Sequence, residues 1–99
     1  MGWGYYFANV EFDDCEHSTG TAIEIKEGYE RFLGDPAGRE LLKTILLAQA
    51  TRQVAAAGTR PVRWYFSQKK VADFAAKIFS DAGLEKIDVR PELWPGSKK

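Results

Sequence analysis

The hexapeptide Thr21-Ala22-Ile23-Glu24-Ile25-Lys26 alternates without a break. A two-residue period belongs to extended backbone, so the segment reads as a strand with Ile23 and Ile25 on one face and Glu24 and Lys26 on the other. The pattern predicts that the isoleucines face the core while an acid and a lysine stand side by side at the strand's end. A lone strand is not stable in water, so its neighbours must come from the flanking chain.

Those neighbours are legible. Tyr6 to Cys15 alternates in part, through Val10 and Phe12, and predicts a strand joined to the hexapeptide by the turn formers His17-Ser18-Thr19-Gly20. Glu27 to Gly34 is a short connection with one helical turn holding Tyr29 and Phe32. Asp35-Pro36 opens a helix, because Asp caps free N–H groups and Pro fits the first position. The helix is expected to run to Ala57 and stop at Gly58, with Leu41, Leu42, Ile45, Leu46 and Ala48 as its apolar face.

Arg60 to Phe66 predicts a third strand, with Val62, Trp64 and Phe66 on one face and Arg63 and Tyr65 on the other. Val71, Phe74, Ala75, Ile78 and Phe79 recur at helical spacing and predict a helix over Lys69 to Ala82, closed by Gly83. A last strand covers Lys86 to about Val89, and the tail Pro95–Lys99 is expected to be disordered. The order β-β-α-β-α-β predicts an α/β fold: a small mixed sheet of about four strands with flanking helices, forming one domain over residues 1–94.

Composition narrows the function classes. No apolar run approaches the roughly 20 residues needed to cross a membrane, so no membrane partner is expected. The N-terminus lacks a basic stretch followed by an apolar one, so no secretory signal is expected. The single cysteine, Cys15, excludes an internal disulfide and a cysteine-based zinc site. The single histidine, His17, argues against two-histidine ribonuclease chemistry and histidine-held metals. Net charge is zero, but residues 1–38 carry eight acids against two bases and residues 39–99 carry six acids against twelve bases. An acidic half that holds a metal and a basic half that meets phosphate would look like this.

Glu24 and Lys26 carry the chemistry. The preceding strand ends in Asp13-Asp14, and pairing the two strands brings an aspartate near Glu24. Converging carboxylates repel one another unless a cation sits between them. Mg2+, or Mn2+ in its place, suits oxygen ligands and keeps several waters. Asp13, Asp14 and Glu24 are the candidate ligands, and Lys26 beside them can orient an attacking water at a phosphodiester. The apolar row Leu42–Leu46 continues into Gln49 and Gln53, one turn apart, with Arg52 next to them. A core-facing stripe that turns polar midway needs partners for its amides. Those glutamines are candidates for holding phosphate or water.

These blocks resemble a known family. Val10-Glu11-Phe12-Asp13-Asp14, then Glu24-Ile25-Lys26 with Gly28-Tyr29 and Phe32, then Gln49-Ala50-Thr51-Arg52-Gln53 with Ala56, then Arg60-Pro61-Val62-Arg63-Trp64-Tyr65-Phe66 with Lys70-Val71-Ala72-Asp73, stand in the same order as in a restriction-endonuclease-fold toxin domain. That group is the fifth-named of such toxins in polymorphic and type VI secretion systems, within the PD-(D/E)xK nuclease superfamily.

The resemblance implies a restriction-endonuclease-like core and a metal-dependent DNA-cleaving effector. Such an effector leaves by a contact-dependent system without a signal peptide, acts in the target cell's cytoplasm and is neutralised by a cognate immunity protein. It places the motif aspartate at Asp13, the acid-x-lysine pair at Glu24 and Lys26, and site-edge residues at Gln49 and Gln53. Asp14 stands where the family carries glycine, which leaves the ligand open between Asp13 and Asp14. Tyr65 stands where the family often carries histidine. The family's usual helix before the first strand has no counterpart here, so an upstream segment, a homo-oligomer or another partner chain is a further expectation.

Arg52, Arg63, Lys69 and Lys70 are candidates for gripping a nucleic-acid backbone. Trp64 alternates with Val62 and Phe66 and reads as core rather than a base-stacking platform. Cys15 reads as a small buried residue and His17 as an exposed turn residue. Trp3, Tyr5 and Tyr6 are expected to pack on the sheet or on a partner. The competing class is a non-catalytic module of the same fold that binds DNA or a protein.

Overall fold

The structure, a computed structural model, describes residues 5–95; Trp3 and the tail beyond Pro95 lie outside the described residues. Its centre is a four-stranded mixed sheet. β3 (Asp14–Glu16) runs antiparallel to β4 (Thr21–Lys26), and β5 (Val62–Phe66) and β6 (Ile87–Arg90) follow parallel to β4, in the spatial order β3-β4-β5-β6. Parallel neighbours need a crossover, and the two helices supply them. α1 (Pro36–Ala57) joins β4 to β5, and α2 (Lys69–Asp81) joins β5 to β6. The α/β architecture read from the sequence is therefore the one observed.

The segment expected as one strand from Tyr6 to Cys15 is instead broken twice. β1 (Tyr5–Phe7) folds back on β2 (Val10–Phe12) as a separate two-stranded hairpin. Ala8 and Asn9 both take left-handed backbone, φ 51° and 67°, the geometry of a type I′ two-residue turn. The second break is a bend at Asp13, after which β3 begins. Alanine is a poor signal for such a turn, and that is why alternation alone joined the pieces.

α1 starts as expected. Asp35 Oδ1 accepts from the Gly38 N–H at 3.0 Å, and Pro36 occupies the first helical position. The inward face differs from the expected one. Leu42, Leu46, Ala50, Gln53 and Ala57 are buried, while Leu41 and Ile45 remain 52% and 42% exposed and Ala48 faces outward. Size is the reason: small Ala50 and Ala57 let the helix lie close to the sheet, and the amphipathic row is continued by a glutamine rather than by leucines.

Both helices cover one face of the sheet. Ala22, Val62, Trp64, Phe66 and Ile87 from the strands pack there with Leu42, Leu46 and Ala50 of α1 and Val71, Ala72, Ala75 and Phe79 of α2. This is the face that also carries Glu24 and Lys26, because Glu24 aligns with Trp64 and Lys26 with Phe66. The expectation for β4 is thus inverted. Ile23 and the half-buried Ile25 point to the far face, where Tyr65 and Trp94 form a small second cluster with them. The acid and the lysine lie under α1, in the main core.

Candidate active site

The site is made of what β4 and α1 show each other. Glu24 lies at the middle of the sheet with its side chain 6% exposed, and Lys26 two residues on is 10% exposed. Isolated charges that deep are costly, so each must find partners. Lys26 Nζ lies 3.1 Å from Glu24 Oε2. Gln49 bridges the pair: its Nε2 donates to Glu24 Oε2 at 2.8 Å, and its Oε1 accepts from Lys26 Nζ at 2.6 Å. Gln53, one turn on, donates from Nε2 to Glu24 Oε1 at 2.9 Å and accepts from the Trp64 indole N–H at 2.9 Å. Among the described residues no buried side-chain nitrogen or oxygen lacks a partner.

Electrostatics follow from this geometry. Burial pushes the Glu24 carboxyl above its ordinary value; Lys26 pulls it down, nearby Asp13 pushes it up again, and the hydrogen bonds from Gln53 and Lys26 favour the charged form. The balance is upward. Burial thus outweighs the donors around Glu24, and its carboxyl gives up its proton less readily than an exposed one.

Asp13 sits at the bend between β2 and β3. Its Oδ2 accepts from the Ile25 backbone N–H at 2.7 Å, and its own N–H donates to Ile23 O at 2.9 Å. Its carboxylate takes the place of a strand along β4 and is fixed beside Glu24. Both line a cleft of about 380 Å³ with Asn9, Val10, Glu11, Gln49 and Arg52. The structure thus brings together Asp13, Glu24, Lys26, Gln49, Gln53 and Arg52.

The remaining candidates stand elsewhere. Asp14 points to the far face of the sheet, where its Oδ2 accepts from Trp94 Nε1 at 2.6 Å and its Oδ1 from the Cys15 N–H at 2.8 Å. Arg63 is also on the far face and pairs with Asp88 at 2.9 Å and Glu16 at 3.8 Å. There burial pulls the Asp88 carboxyl up, but hydrogen bonds from Arg90 and Arg63, with their charges, hold it below its ordinary value. Lys69 and Lys70 open α2 as exposed residues, and Lys69 pairs with Asp73. Cys15 is half-buried, and His17 is exposed in its turn.

Two neighbours of the site are not evident from spacing. Trp64 is core, as its alternation predicts, yet its indole N–H anchors Gln53. A tryptophan among buried apolar residues always needs an acceptor, and that was the available signal. Tyr29 places its ring centroid 5.8 Å from Lys26 Nζ from a loop that propensity alone does not orient.

The donor set fits a hard cation. Asp13 and Glu24 offer two carboxylates to one cleft, and among the described residues no group of three or more His, Cys, Asp or Glu side chains is poised as a metal cage. Two carboxylates, with water as the remaining ligands, would suit magnesium better than structural zinc or a calcium loop. No helix among the described residues is long and apolar enough to cross a membrane. Comparison with protein-family models finds no match, and neither the curated proteins nor the solved structures return one.

Proposed function

We propose that this domain hydrolyses phosphodiesters of nucleic acid, DNA first among them, with a bound magnesium ion. One observation carries the reading: Glu24 is buried beside Lys26 at 3.1 Å, and Asp13 lines the same cleft as Glu24. A buried acid–lysine pair with no functional use would be replaced at little cost by apolar residues.

Asp13 and Glu24 would hold the ion, which when bound neutralises charge on a phosphoryl oxygen and acidifies water. Lys26 supplies a second, fixed positive charge to the phosphoryl group as its negative charge grows. Gln49, already bonded to both charges, can turn its amide to a phosphate oxygen or to the attacking water. Gln53 is the inner brace, tied to Trp64 and out of solvent. Arg52 on the cleft wall meets the flanking backbone phosphate.

The order of the four sequence blocks supports a wider reading: an antibacterial effector delivered by a contact-dependent system and held in check by an immunity protein. The test is plasmid cleavage with magnesium. Cleavage is expected to stop with EDTA and in Glu24→Gln and Lys26→Ala; full activity in both variants overturns the assignment.

A second reading, a non-catalytic binding module, rests on the carboxylate of Glu24 already having Lys26, Gln49 and Gln53 as partners. It predicts DNA or protein binding that is indifferent to magnesium and to Lys26→Ala, and no cleavage.

A further inference from the structure

Four groups surround the Lys26 ammonium. Two are oxygens, Gln49 Oε1 at 2.6 Å and Glu24 Oε2 at 3.1 Å. Two are aromatic: the Trp64 ring, with its centroid 5.3 Å away, and the Tyr29 ring at 5.8 Å. Both distances are within cation–π range.

The two pairs differ in what else they do. Glu24 and Gln49 must share their oxygens and amide with an ion and a phosphate when the site is loaded. The rings have no such second duty. Trp64 is locked in the core by its bond to Gln53 and an edge-on contact with Phe79 at 5.2 Å.

Tyr29 is held differently. It adopts φ 77°, a left-handed conformation that costs a side-chain-bearing residue energy. It follows Gly28 at φ 87°, so the chain makes two left-handed steps one residue past the end of β4. The turn aims the ring back at the side chain three residues earlier, and Phe32 props it from behind with stacked rings at 6.1 Å. Asparagine or glycine would take this backbone more easily. The strain is met here by a tyrosine whose ring reaches the ammonium.

We infer that Tyr29 is a positioning residue for Lys26: with Trp64 it clamps the ammonium between aromatic faces, independently of Glu24 and Gln49. The inference deepens the phosphodiesterase reading, since a lysine so held keeps its place when its carboxylate partner turns to an ion. It assigns the effect to the ring and not to the phenol hydroxyl.

The test reads Lys26 directly by NMR of the lysine ammonium groups, in wild type, Tyr29→Phe and Tyr29→Gly. Glycine suits the left-handed backbone, so the ring-less variant is expected to fold; Tyr29→Asn is the second ring-less variant should glycine loosen the loop. In wild type and Tyr29→Phe the Lys26 ammonium is expected to show the same ring-current shift and the same slow proton exchange. In the ring-less variants the Tyr29 contribution to that shift disappears and exchange quickens about 2- to 5-fold, the range set by an exposed cation–π contact. Unchanged Lys26 signals in a folded ring-less variant overturn the proposal. So does a Tyr29→Phe protein that behaves like the ring-less one. Neither readout needs substrate or metal, so the clamp can fail while the nuclease reading stands, and the reverse. Where cleavage is present, the ring-less variants are expected to lose a similar factor in kcat with KM for DNA unchanged.

Discussion

Gln53 donates to Glu24 Oε1 at 2.9 Å although the two residues are 29 positions apart in the chain. The amide is fully buried, and its other end is taken by Trp64. Gln53→Ala would strand the indole N–H, remove a donor from Glu24 and open a cavity. Each buried unpaired group costs about 1–3 kcal/mol. The expected total is roughly 3 kcal/mol once the lost packing is included. Urea unfolding monitored by tryptophan fluorescence measures it, and a loss below about 1 kcal/mol would contradict the network.

Lys26 and Glu24 are expected to be strongly non-additive. Lys26→Met leaves a buried carboxylate facing Asp13 and costs about 3 kcal/mol, typical of a broken buried pair. Adding Glu24→Gln removes that charge, so the double variant should recover at least half of the loss. A double-variant loss equal to the sum of the two single-variant losses would show that the pair is not coupled. None of the three is expected to cleave DNA.

Asp13→Asn separates charge from shape. The asparagine oxygen can still accept from the Ile25 N–H, so the fold and its melting temperature in EDTA should be retained. Magnesium should stabilise the wild type, by about 2.7 kcal/mol at a hundred times its Kd. The stabilisation should vanish in Asp13→Asn and in Glu24→Gln. Scanning calorimetry with and without magnesium checks this, and an undiminished metal shift in Asp13→Asn would remove Asp13 from the ligand set.

On the far face, Asp88 gives the pH dependence. Its carboxyl is held below its ordinary value of 3.8, so it binds protons less readily folded than unfolded. That stabilisation is complete above the unfolded value and is lost as the pH falls through the depressed folded one. Asp88→Asn should therefore cost under about 1 kcal/mol at pH 7, as befits a half-exposed pair. The wild-type and variant stability curves should converge in acid. Parallel curves down to pH 2 would deny Asp88 the role.

The sheet, both crossover helices and the pairing of Glu24 with Lys26 were legible because period, caps and turn residues all point the same way there. The face of β4 was not. Alternation tells that Ile23 and Ile25 share a side, but not which side receives the helices, and here partners for the charged side were supplied by α1. The glutamines gave the clue, since a row of leucines that ends in two amides demands polar company. The break at Ala8-Asn9 was hidden because alanine rarely turns left-handed. Leu41 and Ile45 looked like core because hydrophobicity cannot separate the inward pole of a helix from a greasy outward one.

β3 is only three residues long against the six of β4, so past Ile23 the β3 ladder no longer pairs with β4. A single oxygen of Asp13 ties off the one N–H group left there at Ile25. The cleft lies where this ladder stops, with Asn9, Val10 and Glu11 of the hairpin and Gln49 and Arg52 of α1 lining it. An extra strand seated along that margin would have to take the Ile25 N–H from Asp13, so covering the edge and unseating that carboxylate would be one event.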